Sequence, residues 1–246
     1  RDWSSDVCSS DLGASTARIA EAAQALLGSL SAEQRSTLTF PLDATERRMW
    51  FNIHPNVFRH GLLLESLTQQ QREAALAIVA TTLSERGYRQ ARDIMRLNGL
   101  LIEITKSNDE YGEWPYWFSI FGNPSAGEPW AWQIDGHHLN LNCTVLPDRI
   151  VITPSFMGSE PCHVHHGPLA GTEVFVPEER AGLELIRSLS VPQQAQAVLY
   201  SSIAPDDLPA HLSNFIDGRM QGAAFKDNAS IAPLGIRGSD LSDAQR

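Results

Sequence analysis

Three features are scarce or missing in this chain of 246 residues, and each absence excludes a class of protein. No run of about 18 apolar residues occurs, so the sequence predicts no membrane span. Three cysteines are too few for a disulfide scaffold. A net charge of −10 disfavours nonspecific binding to nucleic acid or to an anionic membrane, because both require a basic surface. A folded globular protein remains, for which 42% apolar residues are ordinary.

Several catalytic and nucleotide-binding motifs are also missing. The chain has no dinucleotide-binding glycine fingerprint, no Walker loop and no Gly-x-Ser-x-Gly nucleophile elbow. Cys143 falls on the apolar side of a predicted strand, where a thiol is inert packing. The sequence therefore gives no nucleophile to which a reaction can be assigned.

Sequence features at the two ends of the chain set the expected bounds of the domain. Residues 1–12 lack helical or strand periodicity and resemble the translation of a sequencing adapter, so we treat them as an artefact. A capping-box pattern, Ser or Thr followed three residues later by Gln, occurs within residues 30–35, 67–72 and 241–246. Because the third has no helix after it, we expect a single α+β domain over residues 13–246 that is incomplete at its C-terminus.

Hydrophobic periodicity and turn residues divide the chain into helical and strand regions. The predicted order is helix, strand, helix, which favours an antiparallel sheet packed against segregated helices, the α+β class. Gly87 is expected to end the second helix. We predict helices at 14–30, 69–86 and 88–105, strands at 116–121, 130–145, 149–153 and 172–176, and helices starting near Pro177 and Pro192.

The strand predicted at 130–145 carries the most informative pattern. Its large apolar residues occupy even positions before Gly136 and odd positions after it. A continuous pleat cannot keep one apolar face through this change, so we expect a β-bulge near Gly136. The pattern then puts six polar residues on one face, namely Gln133, Asp135, His138, Asn140, Asn142 and Thr144.

Short amides are unusual on an exposed strand face, because Asn has a low strand propensity. They suit a hydrogen-bond lattice for a small ligand, which makes Gln133, Asp135, Asn140 and Asn142 candidate ligand-binding residues. The alternative is that these side chains bond to neighbouring backbone, and the pattern leaves both interpretations open.

Histidines supply the candidate metal ligands. His137 lies at the expected bulge and His138 on the polar face, so both are candidates for a divalent transition metal such as Zn, Cu or Fe. His163 and His165 are weaker candidates, since they are two residues apart in a His-rich loop. A surface loop that is merely rich in His explains the second pair equally well.

Several short motifs carry a resemblance to a known family. Arg59-His60-Gly61-Leu62, Phe121-Gly122-Asn123-Pro124 and Gly136-His137-His138-Leu139 stand in the order and spacing of the bacterial and fungal family called domain of unknown function 3500. The resemblance extends over nearly all of residues 40–200. It implies a longer chain with a further His-containing C-terminal part and, because some members carry an export signal, a periplasmic or extracellular location. The family name implies no activity.

Two functions of different classes stay open. One is a metal-dependent enzyme, hydrolytic or oxidative, in which His137 and His138 are ligands and Asn140 and Asn142 support the metal or hold the substrate. The other is a non-catalytic module that binds a small polar ligand or sugar on the polar face. Four aromatic residues would surround that ligand, namely Trp114, Trp117, Trp130 and Trp132. A purely structural role is the third interpretation, and the sequence does not specify the oligomeric state.

Overall fold

Two compact units make up the chain, Arg1–Thr172 and Glu173–Arg246. The computed structural model describes residues 9–53, 59–107, 110–125, 127–202, 204–209 and 233–246. The single domain expected over residues 13–246 stays a prediction. The sheet and all the candidate ligand residues belong to the first unit.

Helices and a mostly antiparallel sheet make up the described chain, which confirms the α+β class. Among the described residues, no helix has both the length and the apolar character needed to cross a membrane. The helices are α1 (Ser9–Ser29), α2 (Ala32–Leu38), α3 (Gln69–Thr82), α4 (Glu85–Thr105), α5 (Val176–Ser188) and α6 (Val191–Ala197). The strands are β1 (Thr39–Phe40), β2 (Leu62–Leu63), β3 (Tyr116–Phe121), β4 (Trp130–Gly136), β5 (Leu139–Val145) and β6 (Ile150–Met157).

The sheet is mixed and mostly antiparallel. Strands β3, β4, β5 and β6 follow one another as antiparallel neighbours. The two-residue strands β1 and β2 both pair with the outer side of β3, β1 in parallel and β2 antiparallel. Helix α1 packs against α3, and α4 contacts β5.

The β-bulge expected near Gly136 is wrong, because residues 130–145 form a hairpin. Gly136 pairs with Leu139, so His137 and His138 are a two-residue turn between β4 and β5. A reversal of this length changes the parity of the apolar positions just as a bulge does. The usual signal for such a turn is Asn-Gly or Asp-Gly, and His-His lacks it. The irregularity of this sheet lies instead in β6, where Thr153 and Pro154 interrupt the pairing with β5.

The register nevertheless puts the strand residues of the predicted polar face together. Gln133 lies opposite Asn142, Asp135 opposite Asn140, and Ala131 opposite Thr144. Directly opposite residues project from the same face of a sheet. The other face is apolar and fully buried, with residues such as Trp132, Ile134 and Leu141.

Some predicted boundaries need correction. Helix α3 ends at Thr82, and Gly87 lies inside α4, where its amide donates to the hydroxyl of the N-cap Ser84 at 3.1 Å. The strand expected at 172–176 is not regular, and Val176 begins α5. Helix α1 starts at Ser9, within the segment treated as an artefact, and α2 had no predicted counterpart.

The three capping boxes recognised in the sequence are joined by a fourth, at Ser190 and Gln193, so that each unit holds a pair of them. In the first unit the Gln71 amide donates to Gln34 Oε1 at 3.2 Å and to the Ser29 carbonyl at 3.0 Å. In the second unit Gln245 makes the same two contacts, to Gln193 at 3.2 Å and to the Ser188 carbonyl at 2.8 Å. The two units therefore share one hydrogen-bonding arrangement at these chain reversals.

Candidate functional site

Near the turn between β4 and β5, the polar face is sealed by the segment that precedes β2. Asp135 is 1% exposed, and its Oδ2 accepts a hydrogen bond from Arg59 Nη1 at 3.0 Å. The Phe51 amide donates to the other carboxylate oxygen at 3.1 Å. Arg59 also donates to the carbonyls of Phe51 and Ile53, at 2.9 and 2.6 Å. Asp135 therefore anchors the covering segment through a buried ion pair.

Asn140 belongs to the same sealed region and is 0% exposed. Its side-chain amide donates to the Phe51 carbonyl at 2.7 Å and to the Gly136 carbonyl at 3.0 Å. Both acceptors are backbone carbonyls. Such contacts are what we expect if the short amides bond to neighbouring backbone rather than to a ligand. As folded, Asp135 and Asn140 offer no surface to a ligand.

Burial dominates the electrostatics of this region. It raises the pKa of the Asp135 carboxyl to about 7, although Arg59 and the Phe51 amide favour the ionised form. Burial also lowers the pKa of His60, against a hydrogen bond with Gln133 that raises it. His60 is therefore neutral at pH 7, and its ring packs edge-on against Phe40 at 5.6 Å.

The other half of the polar face forms the floor of a cleft of about 260 Å³. Gln133 donates to Asn142 Oδ1, and the Asn142 amide donates to the Pro154 carbonyl at 2.8 Å. Thr144 lies beside Asn142 on the same face and accepts a hydrogen bond from Arg47 Nη2 at 3.0 Å. We call this space the Arg47 cleft. The polar residues that line it are Asp43, Arg47, Arg48, Gln133, Asn142, Thr144 and Thr153.

Arg47 and Arg48 give the cleft a positive wall within an acidic chain. They end a short 3₁₀ helix, Thr45–Arg48, that stands over the sheet. Arg47 also donates to the Leu42 carbonyl at 3.0 Å, so two of its five N–H donors are bound to the protein. Burial and the charge of Arg48 lower the pKa of Arg47. Among the described residues, no carboxylate forms an ion pair with Arg47.

Contacts with Asn98 and Tyr116 fix the orientation of His137, which lies in the turn that joins β4 to β5. The Asn98 amide donates to the Gly112 carbonyl at 2.6 Å, which leaves Asn98 Oδ1 facing His137 Nδ1 at 2.7 Å. Because that oxygen can only accept, Nδ1 carries the proton in the neutral ring. The Tyr116 hydroxyl donates to the His137 carbonyl at 3.0 Å.

His138 has a strained backbone and a half-buried ring. Its φ of 60° lies in the left-handed region, and its backbone is bonded to Asn52 and Gly158 at 3.0 and 2.8 Å. Its Nε2 is 3.6 Å from a carboxylate oxygen of Glu160. Burial lowers the pKa of His138, and Glu160 opposes that effect.

The candidate metal ligands do not form a group of three among the described residues. The rings of His137 and His138 lie close together, with centroids 3.9 Å apart and planes tilted by 37°. His165 is exposed, while Val164, between it and His163, is buried. Within the described chain, no three His, Cys, Asp or Glu residues are grouped as a metal site requires.

Comparison with known proteins identifies the family of the chain. The chain matches the family described as "Protein of unknown function (DUF3500)" over residues 12–246. The chain belongs to this family. The match leaves out residues 1–11 and confirms the resemblance carried by the short motifs, and the DUF3500 description assigns no activity. No curated protein and no solved structure matches the chain.

Sequence reasoning missed the arginines of this DUF3500 chain. A buried carboxylate at Asp135 requires a cation, and that requirement could have indicated an arginine partner. Arg59 stands in one of the motifs that carried the family resemblance, yet spacing alone does not connect it to Asp135. Arg47 and Arg48 precede β4 by about 80 residues and have no pattern that associates them with Gln133 or Asn142.

Proposed function

We propose that this DUF3500 chain is a non-catalytic binding module whose Arg47 cleft takes a small molecule with an anionic group and several hydroxyls. The anionic group, a carboxylate or phosphate, would lie against Arg47 and Arg48. The hydroxyls would face Asn142, Thr144 and Asp43. The observation that carries this proposal is the pair of adjacent arginines over a floor of short polar side chains.

Electrostatics supports an anionic ligand. Two guanidinium groups on neighbouring residues repel each other, and the repulsion is stronger where water is partly excluded. Arg47 has no carboxylate partner in the described chain, while Arg59 nearby is neutralised by Asp135. A bound anion would relieve the repulsion and accept charge-assisted hydrogen bonds, which are the strong kind.

The size and rigidity of the cleft support a small ligand. Its volume of about 260 Å³ falls below the range of roughly 300–1,000 Å³ for drug-sized ligands. The floor is held by cross-strand hydrogen bonds, and Arg47 is fixed by Leu42 and Thr144. A site whose donors are already oriented loses little conformational entropy when it binds.

A thermal-shift experiment with four probes tests the proposal. We expect glucose 6-phosphate, galacturonate and inorganic phosphate to raise Tm, and neutral glucose to do so less at equal concentration. At roughly tenfold above Kd the stabilisation is about 1.4 kcal/mol, or about 3–6 °C for a chain of this size. Arg47→Gln should weaken anion binding about tenfold or more, because it removes a charged hydrogen-bond donor.

Matched controls separate the Arg47 cleft from general charge effects and from metal binding. Arg149→Gln removes the same charge at a 60% exposed side chain outside the cleft and should leave the Tm shifts unchanged. Chelation with EDTA should also leave Tm unchanged. Equal shifts in Arg47→Gln and in the unmodified chain would overturn the proposal. A large fall of Tm with EDTA would instead support the metal-dependent enzyme.

A further inference from the structure

A second cleft, of about 410 Å³, lies between α3, α4 and the segment before β3. It has no residue in common with the Arg47 cleft. We call it the Trp114 cleft, after the indole at its wall. Its lining combines two arginines with aromatic and apolar side chains, and the residues used below are Gln69, Arg72, Glu73, Leu76, Tyr88 and Arg92.

Two guanidinium groups lie against the Trp114 ring. The Cζ atoms of Arg72 and Arg92 are 4.6 and 4.8 Å from the ring centroid, both within cation–π range. A guanidinium that lies against a ring keeps its N–H donors in its own plane, where they can reach a planar acceptor. The indole therefore holds Arg72 in place without using its hydrogen-bonding capacity.

Of the two arginines at the cleft, Arg92 has an ion-pair partner, Glu113, to which it donates at 2.6 Å. Glu73 also lines the cleft and keeps its negative charge, and its carboxylate accepts a hydrogen bond from the Gln69 amide at 2.9 Å. Among the described residues, no carboxylate pairs with Arg72. Arg72 is only half-buried, so it stands at the cleft as an accessible, oriented positive group.

The remaining lining favours a flat apolar body. Leu76 is 7% exposed and closes the bottom of the space, and Tyr88 and Trp114 are half-buried at its sides. Aromatic side chains attract other rings in offset or edge-to-face arrangements. A ligand with a ring next to Tyr88 and a carboxylate at Arg72 would contact both the apolar and the charged part of the cleft.

From this combination we infer that the Trp114 cleft is a second binding site, specific for a small aromatic carboxylic acid. The carboxylate takes the in-plane donors of Arg72, and the ring packs on Leu76 and Tyr88. This site is independent of the ligand proposed for the Arg47 cleft, because it uses different residues and requires an apolar body rather than hydroxyls.

Isothermal titration with benzoate, and with benzamide and acetate as matched probes, tests the inference. We expect benzoate to bind with a Kd in the millimolar range or tighter, and to bind at least about tenfold more strongly than either probe. Benzamide keeps the ring and removes the charge, whereas acetate keeps the charge and removes the ring. Equal binding of benzoate and benzamide, or no benzoate binding, would overturn the inference.

Arginine variants locate the binding. Arg72→Met keeps apolar packing on the indole and should weaken benzoate binding about tenfold, because it removes the charged donors. Arg72→Lys is a second variant, which keeps the charge but loses the planar fork and should have an intermediate effect. Arg89→Gln, an exposed site on α4 outside the lining of the cleft, should leave benzoate binding within about twofold of the unmodified chain. Unchanged binding in both Arg72 variants would contradict the site, whatever the outcome at the Arg47 cleft.

Discussion

Replacement of Arg59 by Met is expected to reduce the free energy of unfolding by about 3–5 kcal/mol, the usual cost of removing one partner of a buried ion pair. The side chains of Arg59 and Asp135 are 3% and 2% exposed, so water cannot replace the lost partner. Arg59 also donates to the carbonyls of Phe51 and Ile53, and its loss would remove both of these hydrogen bonds, although the Phe51 carbonyl keeps the one from Asn140. Urea unfolding followed by circular dichroism measures the effect.

The double variant Arg59→Met/Asp135→Asn is the control for this mechanism. Asn keeps an oxygen for the Phe51 amide but carries no charge, so the double variant should recover a large part of the loss. A double variant as unstable as Arg59→Met would contradict the assignment of the cost to the unpaired carboxyl group of Asp135.

The pH dependence of Arg59→Met provides a separate check. Burial already raises the pKa of Asp135 to about 7, and removal of Arg59 must raise it further. A carboxyl group whose pKa is higher in the folded state binds its proton more tightly there than in the unfolded chain, where its pKa is about 3.9. Its contribution to stability therefore falls as pH rises from about 4 through 7. We expect the deficit of Arg59→Met to be smaller at pH 5 than at pH 8, and an equal deficit at both would count against the account.

Gly61→Ala is expected to cost roughly 2–5 kcal/mol, enough to lower Tm by about 10 °C in this chain. Gly61 has φ +88°, a conformation that alanine adopts only with strain. An added Cβ would also overlap the Phe118 carbonyl oxygen and the Ser119 hydroxyl. Because backbone cannot move aside cheaply, the turn that carries Arg59 and His60 would shift away from β3. Differential scanning calorimetry measures the change in Tm.

Gly28→Ala is the matched control for Gly61→Ala. Gly28 lies in α1, and a Cβ added there meets no atom within 4 Å. Alanine is favoured over glycine in a helix by about 0.5–1 kcal/mol, so this variant should be slightly more stable than the unmodified chain. A Gly61→Ala protein with the Tm of Gly28→Ala would show that the turn tolerates a side chain.

The polar face could be predicted from the sequence because strand periodicity depends only on local order. Alternation of Gln133, Asn142 and their neighbours fixes which side chains share a face, whether the chain bulges or reverses. The reversal itself could not be read from His137 and His138, since histidine carries no turn signal. The strand residues of the predicted face do share one face, whereas His138 lies in the turn and the bulge that was invoked to explain the pattern was wrong.

The division of that face into a sealed half and an open half could not be predicted. It depends on which side chains of the segment before β2 reach the sheet, and these contacts connect residues such as Arg59 and Asp135 that lie 76 positions apart. Local patterns carry no information about pairings at that separation. For the same reason the arginines of the Arg47 cleft were missed, and the roles of Gln133 and Asn142 as ligand-binding residues stay predictions.

The most direct test of the Arg47 cleft is a nuclear magnetic resonance titration with glucose 6-phosphate that follows arginine Nε–H and side-chain amide signals. The account predicts saturable shifts at Arg47 and Asn142, with the Arg59 signal unmoved because that side chain is sealed against Asp135. Absence of saturable shifts at Arg47 and Asn142 up to about 10 mM ligand, a range in which even weak sites fill, would contradict the account. The same shifts at Asn142 in the Arg47→Gln variant would contradict it equally.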